Sequence, residues 1–165
     1  MLKHVFAGIA IVCFMSSKIA IAAGKCEFFA KASIGVLEFT GTGCTIEGSP
    51  KVEGGKVSGE FSVDLSKLDT GMSLRNDHMK DNYLEVKKFP KATLKLDPMP
   101  EAGGDFTGKL TLHGVEKPIK GKAEKSGSGY SFKFDVSTKD FGMKQAEYKG
   151  IVIGEAISIS GSIDK

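Results

Sequence analysis

The sequence is poor in several residue types on which enzymes rely. It has no Trp, three Cys and three His, and Arg75 is the one Arg among 23 basic residues. The histidines and cysteines show no metal-ligand spacing, no Gly-x-Ser-x-Gly elbow is present, and no glycine-rich loop opens a helix after a strand. These absences exclude the usual signatures of zinc enzymes, serine hydrolases and nucleotide-binding proteins. We therefore predict no catalytic residue, no metal and no cofactor, and expect a protein that is not an enzyme.

Long apolar runs are also missing, apart from one near the start of the chain. Residues 5–15 are apolar, but this run is shorter than the roughly 20 residues that a membrane span needs. Lys3 precedes the run, and Ala20 and Ala22 follow it in a small-x-small pattern that is typical of a secretory signal peptide. We predict a signal peptide over residues 1–22, a mature domain over residues 23–165, a periplasmic or secreted location and no stable membrane anchor. A membrane anchor is the alternative.

The predicted boundary after residue 22 determines the net charge and the cysteine content of the mature chain. Removal of residues 1–22 lowers the formal net charge from +3 to +1, because Lys3 and Lys18 leave with them. A nearly neutral chain argues against nucleic acid as a partner, since phosphate binding requires a concentrated basic surface. The mature segment keeps Cys26 and Cys44. In an oxidising compartment these two residues are expected to form a disulfide, and two free thiols are the alternative.

Most of the mature chain alternates between apolar and polar residues with the period of a half-buried strand. About eight such segments cover residues 25–32, 36–40, 56–65, 92–96, 106–112, 119–124, 130–136 and 157–163. Breaks or turns are predicted at residues 41–43, 48–50, 97–104 and 113–118, where Gly and Pro cluster. Strands with one apolar face must roll up to cover it, and closure removes exposed edges. We predict an all-β fold, a single antiparallel eight-stranded barrel.

Residues 68–90 interrupt this alternation. A turn is expected at residues 69–71, and Ser73 is the predicted cap of a helix that begins at Leu74. Helical spacing gives this helix an apolar side and a polar side. The apolar side carries Leu74, His78, Met79 and Tyr83, and the polar side carries Arg75, Lys80 and Asp81. A short helix between strands is a candidate lid or rim near the barrel mouth.

Three motifs add a family resemblance. They are carried by Thr70-Gly71, Arg75, His78-Met79 and Phe89-Pro90, by residues 108–118 in the pattern G-x-L-T-x-H-G-V-x-K-P, and by Asp140-Phe141-Gly142. Together they resemble the YceI-like family over about residues 26–163. Asn76 departs from the pattern, because the family often has Asp there, and the role of that carboxylate stays open. The resemblance implies a lipocalin-like barrel that holds long apolar chains.

Two function classes follow from these observations. The first is an exported protein that sequesters or transports an amphiphilic lipid, of isoprenoid or fatty-acyl type, in an apolar cavity. The predicted cavity lining is Phe61, Val63, Leu94, Leu110, Phe132, Phe134 and Ile159. The second is a stress-response or interaction protein whose barrel core is filled by side chains. The partner of the first class is a small-molecule lipid, and a dimer is one of the open oligomeric states.

The polar residues near the predicted helix have two interpretations. The expected head-group or lid residues are Arg75, His78, Met79 and His113. Arg75 either clamps the acidic or polar head of a ligand, because a guanidinium offers two-pronged recognition, or pairs with Asp69, Asp77 or Asp81. His78 and His113 either form a polar site together or make structural hydrogen bonds.

Overall fold

An antiparallel sheet closes on itself to form the body of the protein. The computed structural model describes residues 22–32, 38–148 and 150–164. Its strands are β1 (Ala22–Ala32), β2 (Glu38–Glu53), β3 (Lys56–Asp64), β4 (Lys91–Pro100), β5 (Gly103–Leu112), β6 (Val115–Ser126), β7 (Gly129–Ser137), β8 (Glu147–Tyr148) and β9 (Ile151–Asp164). Each strand from β1 to β7 pairs with the next, β7 pairs with β9, and β9 pairs with β1. The prediction of an all-β, eight-stranded barrel is confirmed, since the two-residue β8 pairs with β9 alone.

The alternation read from the sequence sets which side chains point into the barrel. On β5, Phe106, Leu110 and Leu112 are buried, whereas Thr107 and Lys109 are exposed. The same inward and outward order continues on β6, β7 and β9. Because the ladder closes through β1 and β9, these strands leave no open sheet edge on the barrel.

The prediction that β2 breaks at residues 41–43 and turns at residues 48–50 is wrong. β2 runs from Glu38 to Glu53, and the turn follows at Gly54 and Gly55, which both have positive φ as a tight hairpin turn requires. Gly43, whose φ is 78°, lies at a register shift in the β1–β2 ladder, and two other glycines of β2 serve packing. A Cβ atom on Gly41 would lie 1.9 Å from the Phe28 ring, and one on Gly48 would lie 2.3 Å from the Phe61 ring.

Two other predicted loops are also shorter than expected. β4 continues to Pro100 and β5 begins at Gly103, so the loop predicted at residues 97–104 is a two-residue turn. The turn predicted at residues 113–118 consists of His113 and Gly114, and β6 begins directly after it. Both residues of that turn have positive φ, at 52° and 74°, which permits a two-residue connection.

The helical segment lies between β3 and β4, as predicted. It contains a 3-10 helix (Leu65–Lys67), the α-helix α1 (Ser73–Asp77) and a π-helical turn (His78–Tyr83). The predicted cap at Ser73 is wrong by one residue: Met72 is the N-cap, and it provides no side-chain hydrogen bond. We call this end of the barrel, where the segment meets the β7–β8 connection, the helix end. The opposite end, formed by the β2–β3, β4–β5 and β6–β7 turns, is the hairpin end.

The predicted disulfide between Cys26 and Cys44 is present. The two residues lie directly opposite each other in the β1–β2 ladder, with Cα atoms 5.1 Å apart, and both are buried. The predicted signal peptide falls on residues 1–22, of which residues 1–21 lie outside the described ranges. Within the described ranges, no helix has the length and hydropathy needed to cross a membrane.

Candidate ligand-binding cavity

The barrel encloses a cavity of about 670 Å³ with an almost wholly apolar wall. Its wall reaches from Val57 and Met99 near the hairpin end to Met72 and Leu74 at the helix end. This volume falls within the roughly 300–1,000 Å³ that is typical of small-molecule sites. The exposed fractions of Met72 and Leu74 are 55% and 52%, so these two side chains make part of the rim at the helix end apolar.

All seven residues predicted to line a cavity lie on its wall. They are Phe61, Val63, Leu94, Leu110, Phe132, Phe134 and Ile159. Two aromatic members, Phe132 and Phe134, pack against each other with ring centroids 6.1 Å apart, and the Phe134 centroid is also 6.1 Å from that of Phe106, another residue of the wall. That these residues contact a ligand stays a prediction.

Sequence reasoning missed the part of the wall that β1, β2 and the start of β9 supply. That part includes Cys26, Phe28, Phe39, Ile46, Ile151 and Ile153, and Met143 from the segment before β8 also lines the cavity. The alternation of Cys26, Phe28 and Ala30 along β1 is a signal that could have identified the first two. On β2 the signal was hidden, because its glycines were interpreted as a break in the strand.

Arg75 lies on the cavity wall, on the inward side of α1 and not on the outward side that helical spacing predicted. Its Nη2 donates a hydrogen bond to the Thr70 carbonyl at 2.5 Å, and its guanidinium carbon lies 4.6 Å from the Phe39 ring centroid. Its Nε is buried and has no hydrogen-bond partner among the residues that the structure describes. None of the salt bridges within the described ranges includes Arg75, whereas Asp81 pairs with Lys87 at 3.3 Å. The predicted alternative, in which Arg75 pairs with Asp69, Asp77 or Asp81, is therefore not what the protein adopts.

A hydrogen-bond network fixes the loop that receives the guanidinium. The Asn76 side-chain oxygen accepts from the backbone N–H of Thr70 at 2.8 Å and from its hydroxyl at 2.7 Å. The Asn76 amide donates to the Asp69 carboxylate at 2.7 Å, and the Gly71 N–H donates to the same oxygen at 2.8 Å. These two bonds, from Asn76 first and Gly71 second, lower the pKa of Asp69. Because an amide both donates and accepts, Asn76 suits this position, whereas an ionised Asp would place a second carboxylate against Asp69.

The other predicted head-group residues divide into two groups. His78 and Met79 line the cavity at the helix end. His113 is not part of the cavity wall. Its Nε2 is 2.8 Å from the Glu85 carboxylate, and its Nδ1 is 3.2 Å from the Phe141 carbonyl.

His113 instead joins the three motifs that carried the family resemblance. Its ring centroid lies 4.7 Å from that of Phe89, and the Phe141 carbonyl belongs to the third motif. The Glu85 carboxylate also receives Lys88 at 2.7 Å, and hydrogen bonds from Lys88 first and His113 second lower the pKa of Glu85. These contacts hold the end of the helical segment against the barrel. These contacts agree with the interpretation in which His113 makes structural hydrogen bonds.

The rim of the helix end is completed by the segment before β8. The Glu147 N–H and carbonyl both lie 3.3 Å from the Tyr83 hydroxyl, which links this segment to the π-helical turn. Lys144 and Glu147 line the cavity here. Within the described ranges, no group of three or more His, Cys, Asp or Glu side chains is arranged to hold a metal ion.

Comparisons with known sequences agree with the motifs. The family model described as the YceI-like domain matches residues 17–164. A UPF0312 protein of Shewanella denitrificans is 36% identical over 108 residues, which are 57% of this chain and 56% of that protein. Protein YceI of Salmonella arizonae is 34% identical over 95 residues, which are 56% of this chain and 48% of that protein. The chain spans about half the length of these curated relatives.

Solved structures share the fold at low sequence identity. The crystal structure of Burkholderia cenocepacia BcnA has a TM-score of 0.68 at 18% identity, with 85% of this chain and 94% of that chain covered. A polyisoprenoid binding domain from Saccharophagus degradans, implicated in plant cell wall breakdown, has a TM-score of 0.65 at 17% identity, with 88% and 97% covered. At this level of identity, the two similarities show that the fold is shared and nothing more.

Proposed function

The chain belongs to the YceI-like family, and on that premise we propose that it binds one amphiphilic lipid with its apolar chain inside the barrel. The observation that carries this proposal is the apolar cavity of about 670 Å³. Each methylene group that leaves water for such a wall stabilises a complex by about 0.8 kcal/mol. An isoprenoid or fatty-acyl chain therefore suits this wall, and a polar solute does not.

Two further observations support the proposal. The Saccharophagus domain that shares the fold is described as polyisoprenoid binding. The cavity also favours a binding protein over the alternative of an interaction protein with a filled core, because side chains of the described strands leave the barrel interior open. We propose a carrier or sequestering role without catalysis.

Export is part of the same proposal. The disulfide between Cys26 and Cys44 is typical of an oxidising compartment. Together with the signal-peptide pattern of residues 1–22, it supports a periplasmic or secreted protein whose mature chain begins near Ala23.

Native mass spectrometry of the protein purified from the extracytoplasmic fraction tests this function. We expect a mature chain that begins near Ala23 and carries one lipid, which solvent extraction then identifies. In the variant Leu94→Trp, a bulky ring replaces a cavity-lining side chain, so lipid occupancy should fall. The matched control Lys95→Trp places the same ring on the exposed face of β4 and should keep the lipid.

The proposal fails if the wild-type protein neither carries lipid nor takes up added lipid. It also fails if both Trp variants hold as much lipid as the wild type, because the barrel interior would then not be the site. An intact Met1 on the isolated protein would refute export with cleavage.

A further inference from the structure

The guanidinium of Arg75 is the best-placed cation on the cavity wall, and its hydrogen-bonding capacity is mostly unused. Of the five N–H donors that a guanidinium offers, one bonds to the Thr70 carbonyl, and Nε has no partner within the described ranges. A buried N–H group without an acceptor is costly, so natural proteins rarely retain one. The Nε–H group therefore needs a hydrogen-bond acceptor, and the described part of the chain provides none.

The positive charge of Arg75 is also not neutralised by the carboxylates on its own segment. Asp69 accepts from Asn76 and Gly71, and Asp81 pairs with Lys87. Asn76, whose side chain bonds to Thr70, is uncharged and cannot neutralise Arg75. No salt bridge within the described ranges reaches the guanidinium, although it lies against an apolar wall where a bare charge is unfavourable.

Two contacts fix the position of the Arg75 side chain. One face of the guanidinium lies over the Phe39 ring at 4.6 Å, and Thr70, which accepts its Nη2, is itself fixed by Asn76. Neither contact neutralises the charge, and both restrict the side chain to one position. A binding group that is already oriented loses less conformational entropy when its ligand arrives.

We propose that Arg75 selects lipids with an anionic oxygen head group, a carboxylate or a phosphate monoester, at the helix end of the cavity. This inference rests on the proposed function and names the ligand class of the same site. A planar guanidinium matches two oxygens of such a head group in a way that a hydroxyl or a carboxamide does not. Lys144 on the same rim adds positive charge, and Glu147 on that rim opposes it.

Displacement of the neutral fluorescent probe N-phenylnaphthylamine tests the inference with three ligands of equal chain length: hexadecanoate, hexadecyl phosphate and hexadecanol. The delipidated wild-type protein should bind each anion about tenfold or more tightly than the alcohol, the ratio that one charged hydrogen bond provides. Arg75→Gln should lose this preference for the anions over hexadecanol. Lys80→Gln is the matched control, because it removes a positive charge from the neighbouring turn without touching the cavity wall, and it should keep the preference.

Equal wild-type affinity for the acid and the alcohol would overturn the inference, as would a preference that survives in Arg75→Gln. The wild-type comparison needs no substitution, so it decides the matter even if Arg75→Gln does not fold. Inorganic phosphate should not displace hexadecanoate, because it lacks the chain, and displacement would overturn the assignment to a lipid head group.

If hexadecanol binds as well as the anions, the inference alone fails. If neither the probe nor any of the three ligands binds, the proposed function fails.

Discussion

Replacing Phe134 by Ala distinguishes an open barrel from a filled one. Phe134 is 8% exposed and lies on the cavity wall, whereas Phe141 is 2% exposed and lies outside it. Both side chains are buried, but only the ring of Phe134 borders open space. The pair therefore offers the same substitution in two packing environments.

The expected losses of stability differ for a physical reason. Phe141→Ala removes a ring from close-packed surroundings, so the loss combines a transfer term and a cavity term of about 3–5 kcal/mol together. Phe134→Ala loses the transfer term and the ring contacts with Phe106 and Phe132. It creates little new void, because the cavity is already there, and we expect a loss of about 2 kcal/mol.

Urea unfolding of delipidated protein, followed by circular dichroism, measures both losses. Lipid must be removed first, because a bound ligand stabilises the folded state by mass action and would mask the difference. Phe134→Ala should also shift ligand preference toward bulkier chains, whereas Phe141→Ala should not. If Phe134→Ala costs as much as Phe141→Ala, the barrel interior is filled in solution and the cavity argument is refuted.

Two more predictions concern the disulfide and the Asp69 network. Replacing Cys26 and Cys44 together by Ala should lower the free energy of unfolding by about 3 kcal/mol, from the loop-entropy term for a sequence separation of 18; a variant that melts at the wild-type temperature would refute this. Because hydrogen bonds from Asn76 and Gly71 lower the pKa of Asp69, its ionised form stabilises the fold above its ordinary value of 3.8, and this contribution is lost as the pH falls through the lowered folded-state pKa. Asn76→Asp replaces the donor by a second carboxylate, so its urea midpoint should fall below that of the wild type at neutral pH and approach it in acid; a midpoint deficit that does not change with pH would contradict the argument.

The strands were predictable because their signal is local. A period of two in the sequence indicates which side chains share a face of a strand. All seven residues predicted from it to line the cavity lie on the cavity wall. β2 was not predictable in the same way. Gly41 and Gly48 resemble breaks, and their reason for being in a strand is a ring from a neighbouring strand, Phe28 or Phe61, which the local sequence does not reveal.

The candidate site shows the same division. Alternation gives the direction of a side chain but not the volume between facing walls, so alternation alone allowed both a cavity and a filled core. The rotation of α1 about its axis depends on Thr70 and Phe39, and a helix of five residues is too short for spacing to decide it. For His113 the sequence left two interpretations open, because its partner Glu85 lies 28 residues away and no local pattern indicates the contact.

The pairing of β1 with β9 has a consequence for the order of folding. Ala23 pairs with Asp164, and Ala30 pairs with Ile157, so the seam joins the two ends of the described chain. Contacts of such large sequence separation form slowly, since most of the chain must be ordered between them. The barrel cannot close until its final strand has been synthesised. If the protein is exported as we propose, this late closure keeps the chain unfolded during passage through a narrow membrane pore, which such passage requires.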